Sequence, residues 1–438
     1  MKSTLLKKLN TALPDSIKIL FGSYIRGKLI NNPIFISQYT ELLKMDATPL
    51  DIIKEEQFNK LKETLTRGYE HTRYYKKLFD QCGFDVYNFK DTEEMKKIPL
   101  LTRTDIDANF DELQADDISD YYLSMSGGSS GTSLKVLLDK ELVYRERAFI
   151  YHFWSKAGYD YKTSKIASFR GGIDFGSKLN KYNPIYNEIQ LNPCAINAGS
   201  IRRYVYLINK FNADFIHGHP SAVYSFCKYA KEAGINLKNR FKATLFISEN
   251  IYDYQRDFIE KTLGIKSYAY YGHTERSVFA EQVSEGYRFN HYYCFTELCR
   301  QPGSSVVTTG FLNQKMPLIR YELDDSTSYL SEHDSYLITG HRDGILYGKN
   351  GEIISAATLY IHNNILDKVA NQQFVQEEHG KAKMLICPIN ELGESDRKII
   401  ERYYQDKLGE AIDIEVEINK DLIFTKRGKL PLIVQRCV

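Results

Sequence analysis

Between Ser126 and Val136 the chain reads Ser-Gly-Gly-Ser-Ser-Gly-Thr-Ser-Leu-Lys-Val. Gly127, Gly128 and Gly131 accept positive φ and let backbone amides come close to a ligand, while Ser126, Ser129, Ser130 and Thr132 add hydroxyl donors. Such a loop suits phosphate oxygens. It is not a Walker loop, because Gly131 is followed by Thr132 and not by lysine. The stretch from Gly127 to Gly131 fits the letters Gly-x-Ser-x-Gly, which would make Ser129 a nucleophile, but that elbow must lead into a helix. Here Leu134, Val136 and Leu138 alternate with Ser133, Lys135 and Leu137, a pattern that predicts a strand. A strand-flanked phosphate loop without the Walker lysine remains, with an ordinary Ser/Gly linker as its plain alternative.

A loop of this kind needs elements around it. The clearest lie in the middle of the chain. Asp214–His217 reads as a strand, and Pro220 opens a helix with Ala222, Val223, Phe226, Cys227 and Ala230 on one face. Ala243–Ser248 reads as a second strand. A helix with Ile251, Tyr254, Phe258, Ile259 and Leu263 on one face follows, closed by Gly264, and Ile265–Tyr271 is a third strand. A β-α-β-α-β order predicts a parallel sheet with right-handed crossovers. Ligands of such sheets bind beyond the carboxyl ends of the strands. The segments expected there are His217-Gly-His-Pro220, Ser248-Glu-Asn250 and Tyr271-Gly-His-Thr-Glu275, all polar and on one edge. His217 and His219, two residues apart, share a face if the strand continues. They could offer two metal ligands, but no third ligand has suitable spacing, so they are read as lining a pocket.

Residues 1–95 read as helical, with periodic segments at Ile36–Leu43 and Glu56–Gln81; a further helix is expected over Leu142–Ala157. A polar junction, Thr339–Gly344, separates a tail in which Gln373–Glu377, Met384–Pro388 and Ile412–Ile418 read as strands and Ser395–Leu408 as a helix.

The 438 residues exceed one ordinary core and imply two or three domains. A net charge of +2 without a long basic run argues against a nucleic-acid partner. Seven scattered cysteines with no Cys-x-x-Cys pair point to reduced thiols in a cytoplasmic protein, not to disulfides or zinc. No apolar run reaches transmembrane length. The basic N-terminal segment, with Lys2, Lys7, Lys8, Lys18 and Arg26, lacks the apolar core of a signal peptide; it is expected to be a surface helix, with peripheral membrane contact as the alternative.

Taken together the motifs resemble the adenylate-forming enzymes. Ser126–Val136 is similar to their phosphate loop and Tyr271-Gly-His-Thr-Glu275 to their Tyr-Gly-x-Thr-Glu motif. Pro317-Leu-Ile-Arg-Tyr321 with Asp325 resembles Pro-x-x-Arg-Tyr-x-x-x-Asp, and Thr425-Lys-Arg-Gly-Lys429 resembles the C-terminal Gly-Lys motif. They occur in family order over nearly the whole chain. Thr72-Arg-Tyr-Tyr75, Ile98-Pro-Leu-Leu-Thr-Arg103 and Gly340-His-Arg342 are like the branch of phenylacetate–CoA ligases and capsular polysaccharide biosynthesis enzymes. The sequence departs from the pattern at Ser133, where the family often has proline, at Lys135, which is not at the usual lysine position, and at His341, where the superfamily hinge has arginine.

The resemblance implies an α/β chain. A large ATP- and acid-binding domain over 1–339, with parallel sheets and helices, would precede a small mobile α+β lid over 340–438, hinged at Asp343 beside Gly344. It implies ATP and Mg²⁺ as cofactors. Ser129, Ser130 and Thr132 would hold the β- and γ-phosphates, with Ser126, Gly128 and Gly131 completing the loop. Thr274 would reach the α-phosphate, Glu275 would hold Mg²⁺, and Asp325 would take the ribose hydroxyls. Lys429 would bring its charge to the α-phosphate on lid closure. Nucleotide contact is implied for Ser248, Glu249, Tyr271, Gly272, His273 and Arg342 as well. Plainer roles stay open: Glu275 could pair with Arg276 or another surface base, Asp324 could replace Asp325, Arg320 could pair with an acid or touch ligand, and Lys429 could be one more surface lysine. The function implied is an ATP-dependent ligase that activates a small carboxylic or amino acid as acyl-AMP and passes it to an acceptor, CoA or a sugar precursor, in surface polysaccharide synthesis. The alternatives are an aryl-acid CoA ligase and a non-catalytic nucleotide-binding partner.

Overall fold

The computed structural model describes residues 22–125, 134–170, 173, 175–298, 304–330, 335–341, 345–355, 359, 368–389, 391–418, 421–425 and 429–437. The chain forms two compact units, one of Met1–Arg26, Thr163–Tyr268 and Arg342–Val438, the other of Gly27–Lys162 and Ala269–His341.

The first unit contains the first two strands and both helices of the β-α-β-α-β segment. Strands Phe215–Gly218 and Ala243–Phe246 pair in parallel, and Ile166–Phe169 pairs in parallel with Phe215–Gly218 on one side and with Glu188–Leu191 on the other. Asn180–Asn183 adds an antiparallel edge. The helices are Pro220–Glu232 and Asp253–Leu263, the latter closed by Gly264 at φ 68. Gly218 is required where it stands: its φ is 144, and a Cβ there would lie 2.2 Å from the Phe169 carbonyl oxygen.

The sequence predicts one apolar face on the helix Pro220–Glu232, yet every residue from Pro220 to Ala230 is buried. The C-terminal region covers its other side. Asn371 Nδ2 donates to Ser225 Oγ at 2.6 Å, and the Tyr229 hydroxyl meets Cys387 Sγ at 3.7 Å. That region is a four-stranded sheet, in the order Asp413–Ile418, Lys381–Pro388, Val369–Glu378, Ile433–Gln435. Its central pair is antiparallel and both outer pairings are parallel. Helix Glu394–Leu408 contributes Ile400 and Tyr404 to a core with Phe374, Met384, Ile386 and Val416. The expected α+β tail is thus present.

The second unit pairs helices with an antiparallel sheet, a part of the architecture not read from the sequence. Helices Pro33–Met45, Leu50–His71, Arg73–Cys82 and Leu142–Ser155 belong to it. The helical segment expected over Glu56–Gln81 is two helices. Thr72 is extended (φ −124, ψ 135); its amide closes the first helix on Gly68 O, and its hydroxyl accepts the Tyr75 N–H that opens the second. The sheet runs Cys294–Leu298, Ser304–Gly310, Tyr321–Leu330, Ser335–His341, Tyr287–Phe289, Phe279–Gln282, then 269–272. The pairing of Tyr321–Leu330 shifts register against both neighbours, between Ser305 and Val307 on one side and between Ser326 and Thr327 on the other. Asp325 sits in this irregular stretch, where a bulge can re-aim a side chain.

Among the described residues no helix is long and apolar enough to cross a membrane.

Candidate functional site

In the second unit, the turn after strand Ser267–Gly272 and the irregular part of Tyr321–Leu330 bring four motif residues together. The Tyr271 hydroxyl donates to Asp325 Oδ2 at 2.6 Å. His273 Nε2 lies 2.6 Å from that hydroxyl and 2.7 Å from Asp325 Oδ2, and its Nδ1 is 3.7 Å from Glu275 Oε2. Glu275 and Asp325 are both buried, at 5% and 4% exposure. Two carboxylates at such burial are costly unless they are paired or committed to a cation or ligand. Burial pushes the Tyr271 phenol well above its ordinary value, and the Asp325 charge pushes it further. The phenol therefore remains a donor.

Glu275 does not take Arg276 as its partner. Arg276 is turned to Glu146 on helix Leu142–Ser155, and the pair forms a direct hydrogen bond. Arg276 has φ 58, a left-handed backbone. Asp324 is described only in its backbone, while Asp325 is placed by two polar neighbours.

Arg320 pairs with an acid. Its Nε and Nη2 form a fork on Glu297, at 2.8 and 2.7 Å, and Nη1 donates to Ile98 O. Its backbone is left-handed at φ 50, a conformation that costs about 1–3 kcal/mol and persists only where surroundings enforce it. Both N-terminal motifs supply that enforcement. Leu101 N donates to Arg320 O and Glu322 N donates to Leu101 O, so Ile98–Arg103 lies along the Arg320 segment. The Tyr75 hydroxyl accepts the Ile319 N–H at 2.9 Å and donates to Pro317 O at 3.1 Å. Tyr75, Leu101 and Glu297 are thus supports of the Pro317–Tyr321 motif that sequence reasoning did not assign. The signal available was motif order: the N-terminal pieces precede the Pro317–Tyr321 motif in the branch pattern.

In the first unit, a second group gathers on Ser248 and Glu249. Lys429 Nζ donates to Ser248 O at 2.6 Å. Glu249 Oε1 accepts the Leu430 N–H and Oε2 the Ser221 N–H, each at 3.1 Å. His219 Nδ1 is 3.7 Å from Glu249 Oε1. Ser248 has φ 67, and Ser248, Arg276 and Arg320 are, asparagines apart, the left-handed non-glycine residues among those described. The loop that carries Lys429 is closed by its own bonds. Thr425 N donates to Lys429 O at 2.9 Å, and Thr425 Oγ1 accepts the Lys429 N–H at 3.0 Å. Buried Gln373 ties the loop's ends, donating to Ile423 O and Pro431 O at 2.9 Å and accepting the Ile423 N–H at 2.8 Å.

His217 and His219 are both buried. His217 Nδ1 is 2.7 Å from Leu245 O, and Gly218 ends the strand between them. The group of described residues spaced for a metal is His71, Asp116 and Asp117, elsewhere in the chain and with Asp117 already held by Arg67. Ser126, Gly128, Ser129, Ser130, Gly131, Thr132, Arg342 and the hinge at Asp343 lie outside the described residues. Thr274 and Gly272 lie in the Tyr271–Glu275 segment itself.

Known proteins share parts of this sequence and this fold. Residues 346–436 match the CapK C-terminal domain family. Protein CapK of Staphylococcus aureus is 22% identical over 376 residues, covering 81% of this chain and 82% of that protein. Among solved structures, 2-hydroxyisobutyryl-CoA ligase in the postadenylation state with 2-HIB-AMP is 16% identical, with a TM-score of 0.67 and coverage of 89% and 90% of the two chains. Anthranilate CoA ligase in complex with anthranoyl-AMP is 15% identical, with a TM-score of 0.50 over 70% of this chain and 65% of that one. The chain thus has the fold of these CoA ligases, and its residues 346–436 match the CapK C-terminal domain.

Proposed function

We propose that the chain is an adenylate-forming ligase. It would join the carboxylate of a small carboxylic or amino acid to the α-phosphate of ATP, release pyrophosphate, and pass the acyl group from AMP to an acceptor. The observation that carries this reading is the Tyr271–Glu275 turn with Asp325: two buried carboxylates, one placed by a phenol and an imidazole, in a chain with this fold. Asp325 has the acceptor capacity for ribose hydroxyls. Glu275, buried and next to Thr274, fits Mg²⁺, which is commonly bound by one or two carboxylates together with substrate phosphates. The bound ion would neutralise charge on the phosphates. Thr274 would orient the α-phosphate, Lys429 would place a point charge on it during adenylation, and the loop hydroxyls of Ser129, Ser130 and Thr132 would hold the outer phosphates. Residues 340–438 would act as the lid.

Surface polysaccharide synthesis is the setting proposed, on the similarity to CapK and on the branch motifs. An aryl-acid CoA ligase is the second reading, favoured by the CoA ligases among the structural neighbours. Mg²⁺-dependent ATP–pyrophosphate exchange over a panel of acids, followed by acyl transfer with and without CoA, tests both. Exchange with no acid in a broad panel would overturn the ligase reading. Thioester formation with an aryl acid would select the second one.

A further inference from the structure

We propose that Glu249 is a positioning residue for Lys429, and not a nucleotide ligand. This rests on the ligase reading above for what the lysine does, but the geometry stands without it. Helix Pro220–Glu232 starts without a side-chain cap of its own: His219 occupies the N-cap and makes no capping bond. Its first amides therefore need an acceptor from elsewhere. Glu249, just beyond the end of strand Ala243–Phe246, supplies one through Oε2 to Ser221 N–H. The same carboxylate spends its other oxygen on Leu430 N–H, the residue after Lys429.

Both oxygens are thus engaged by backbone amides, from a helix end and from the C-terminal loop. A carboxylate used in this way has one acceptor site on each oxygen committed to main chain. It has a defined mechanical effect, because it fixes Leu430 against the parallel-sheet region while the adjacent Ser248 carbonyl fixes Lys429 Nζ. Two consecutive lid residues are held by two consecutive residues of one strand end. Gln373 holds Pro431 and Thr425 holds Lys429 by hydrogen bonds, so registering Leu430 registers Lys429 as well. An amide at position 249 would present one acceptor and one donor to two N–H groups, so one contact must fail.

The test compares Glu249→Gln, Glu249→Asp and Lys429→Ala. Hydrogen exchange of the Leu430 amide is read on each, together with ATP affinity by calorimetry and the rate of pyrophosphate exchange. In Glu249→Gln the Leu430 amide should exchange about tenfold or more faster, as expected for loss of a charge-assisted hydrogen bond. Pyrophosphate exchange should fall by about tenfold in kcat, with ATP affinity held within about twofold, the split expected when only the transition-state contact is misplaced. Glu249→Asp keeps the charge but shortens the arm and should behave in the same direction. Lys429→Ala should lose the rate yet keep Leu430 protected. Unchanged Leu430 protection in both Glu249 variants, or lost ATP affinity with that protection intact, would overturn the proposal. If the unaltered chain supports no exchange with any acid, the ligase reading fails, while amide exchange still decides the role of Glu249. Circular dichroism on each variant separates local loosening from misfolding, and the Asp variant serves if the Gln variant does not fold.

Discussion

The two polar groups are built on different principles. Around Asp325, side chains hold side chains: a phenol and an imidazole converge on one carboxylate, from residues within 54 positions of it along the chain. Around Glu249, side chains hold backbone, and the contacts to Lys429 and Leu430 span 181 positions. The first arrangement fixes a charge. Neighbouring strands place it, and it persists as long as that sheet does. The second fixes the position of a chain segment, and it depends on docking of the C-terminal sheet. A group meant to hold nucleotide throughout turnover suits the first kind of support; a lysine needed at one step suits the second, which is easily broken and remade.

The sharpest way to break the first region is to remove its foundation. Arg320→Leu leaves Glu297 without its fork, opens the Ile98 carbonyl, and puts a branched residue at φ 50. Removing one partner of a largely buried ion pair costs about 3–5 kcal/mol. Chemical denaturation should show a loss of that size, and Arg320→Lys should recover only part of it, because lysine cannot form the fork. A variant of unchanged stability would mean that Pro317–Tyr321 is held by Tyr75 and Leu101 alone.

Next is Glu275→Gln, which keeps shape and removes charge. Arg276 pairs with Glu146 and not with Glu275, so the substitution should leave the fold intact. Pyrophosphate exchange should nonetheless fall by about two orders of magnitude or more, the scale of losing a key electrostatic group. Full activity would refute the Mg²⁺ assignment. Asp325→Asn should be milder. It weakens ATP and AMP binding by about 1.5–3 kcal/mol, as expected for charge-assisted hydrogen bonds. Calorimetry with unchanged affinity would move the ribose role off this residue.

The contrast between the two regions also explains what the sequence could reveal. The β-α-β-α-β segment was legible because helix period, strand length, Pro220 and Gly264 all act locally. So was the Tyr271–Glu275 turn, since it is short and contiguous. The antiparallel half escaped because its strands carry much polar surface, and Asp325 sits where pairing is irregular. Helix Pro220–Glu232 looked one-faced because its second face includes Ser225 and Tyr229, which meet Asn371 and Cys387 of the C-terminal sheet. Glu249 was visible as a polar residue at a strand end. Its engagement by a helix amide and by the Leu430 amide is a long-range fact that no local pattern encodes.

The smallest expected effect concerns the proton on Tyr271. The phenol is buried beside Asp325, with the Glu275 carboxylate and Tyr321 adding to the same upward push and His273 in contact with its hydroxyl. In the unfolded chain a tyrosine loses its proton near pH 10. Between that pH and its higher folded value, the folded state binds one proton more than the unfolded state. Stability must then fall as pH rises, by about 1.4 kcal/mol per pH unit for this one group, with no contribution below pH 9 or so. Tyr75, Tyr293 and Tyr204 are raised by burial as well and steepen the same limb. Tyr271→Phe should therefore reduce the alkaline slope by about one proton without abolishing it. Near neutral pH the variant loses a single donor to a carboxylate that His273 Nε2 still approaches at 2.7 Å. Its stability should drop there by about 1–2 kcal/mol, less than for Arg320→Leu. Denaturation measured from pH 7 to 11 on both proteins yields the two slopes directly. Identical slopes would mean that Tyr271 ionises in the folded chain as readily as in the unfolded one, and that Asp325 is not held by a neutral phenol.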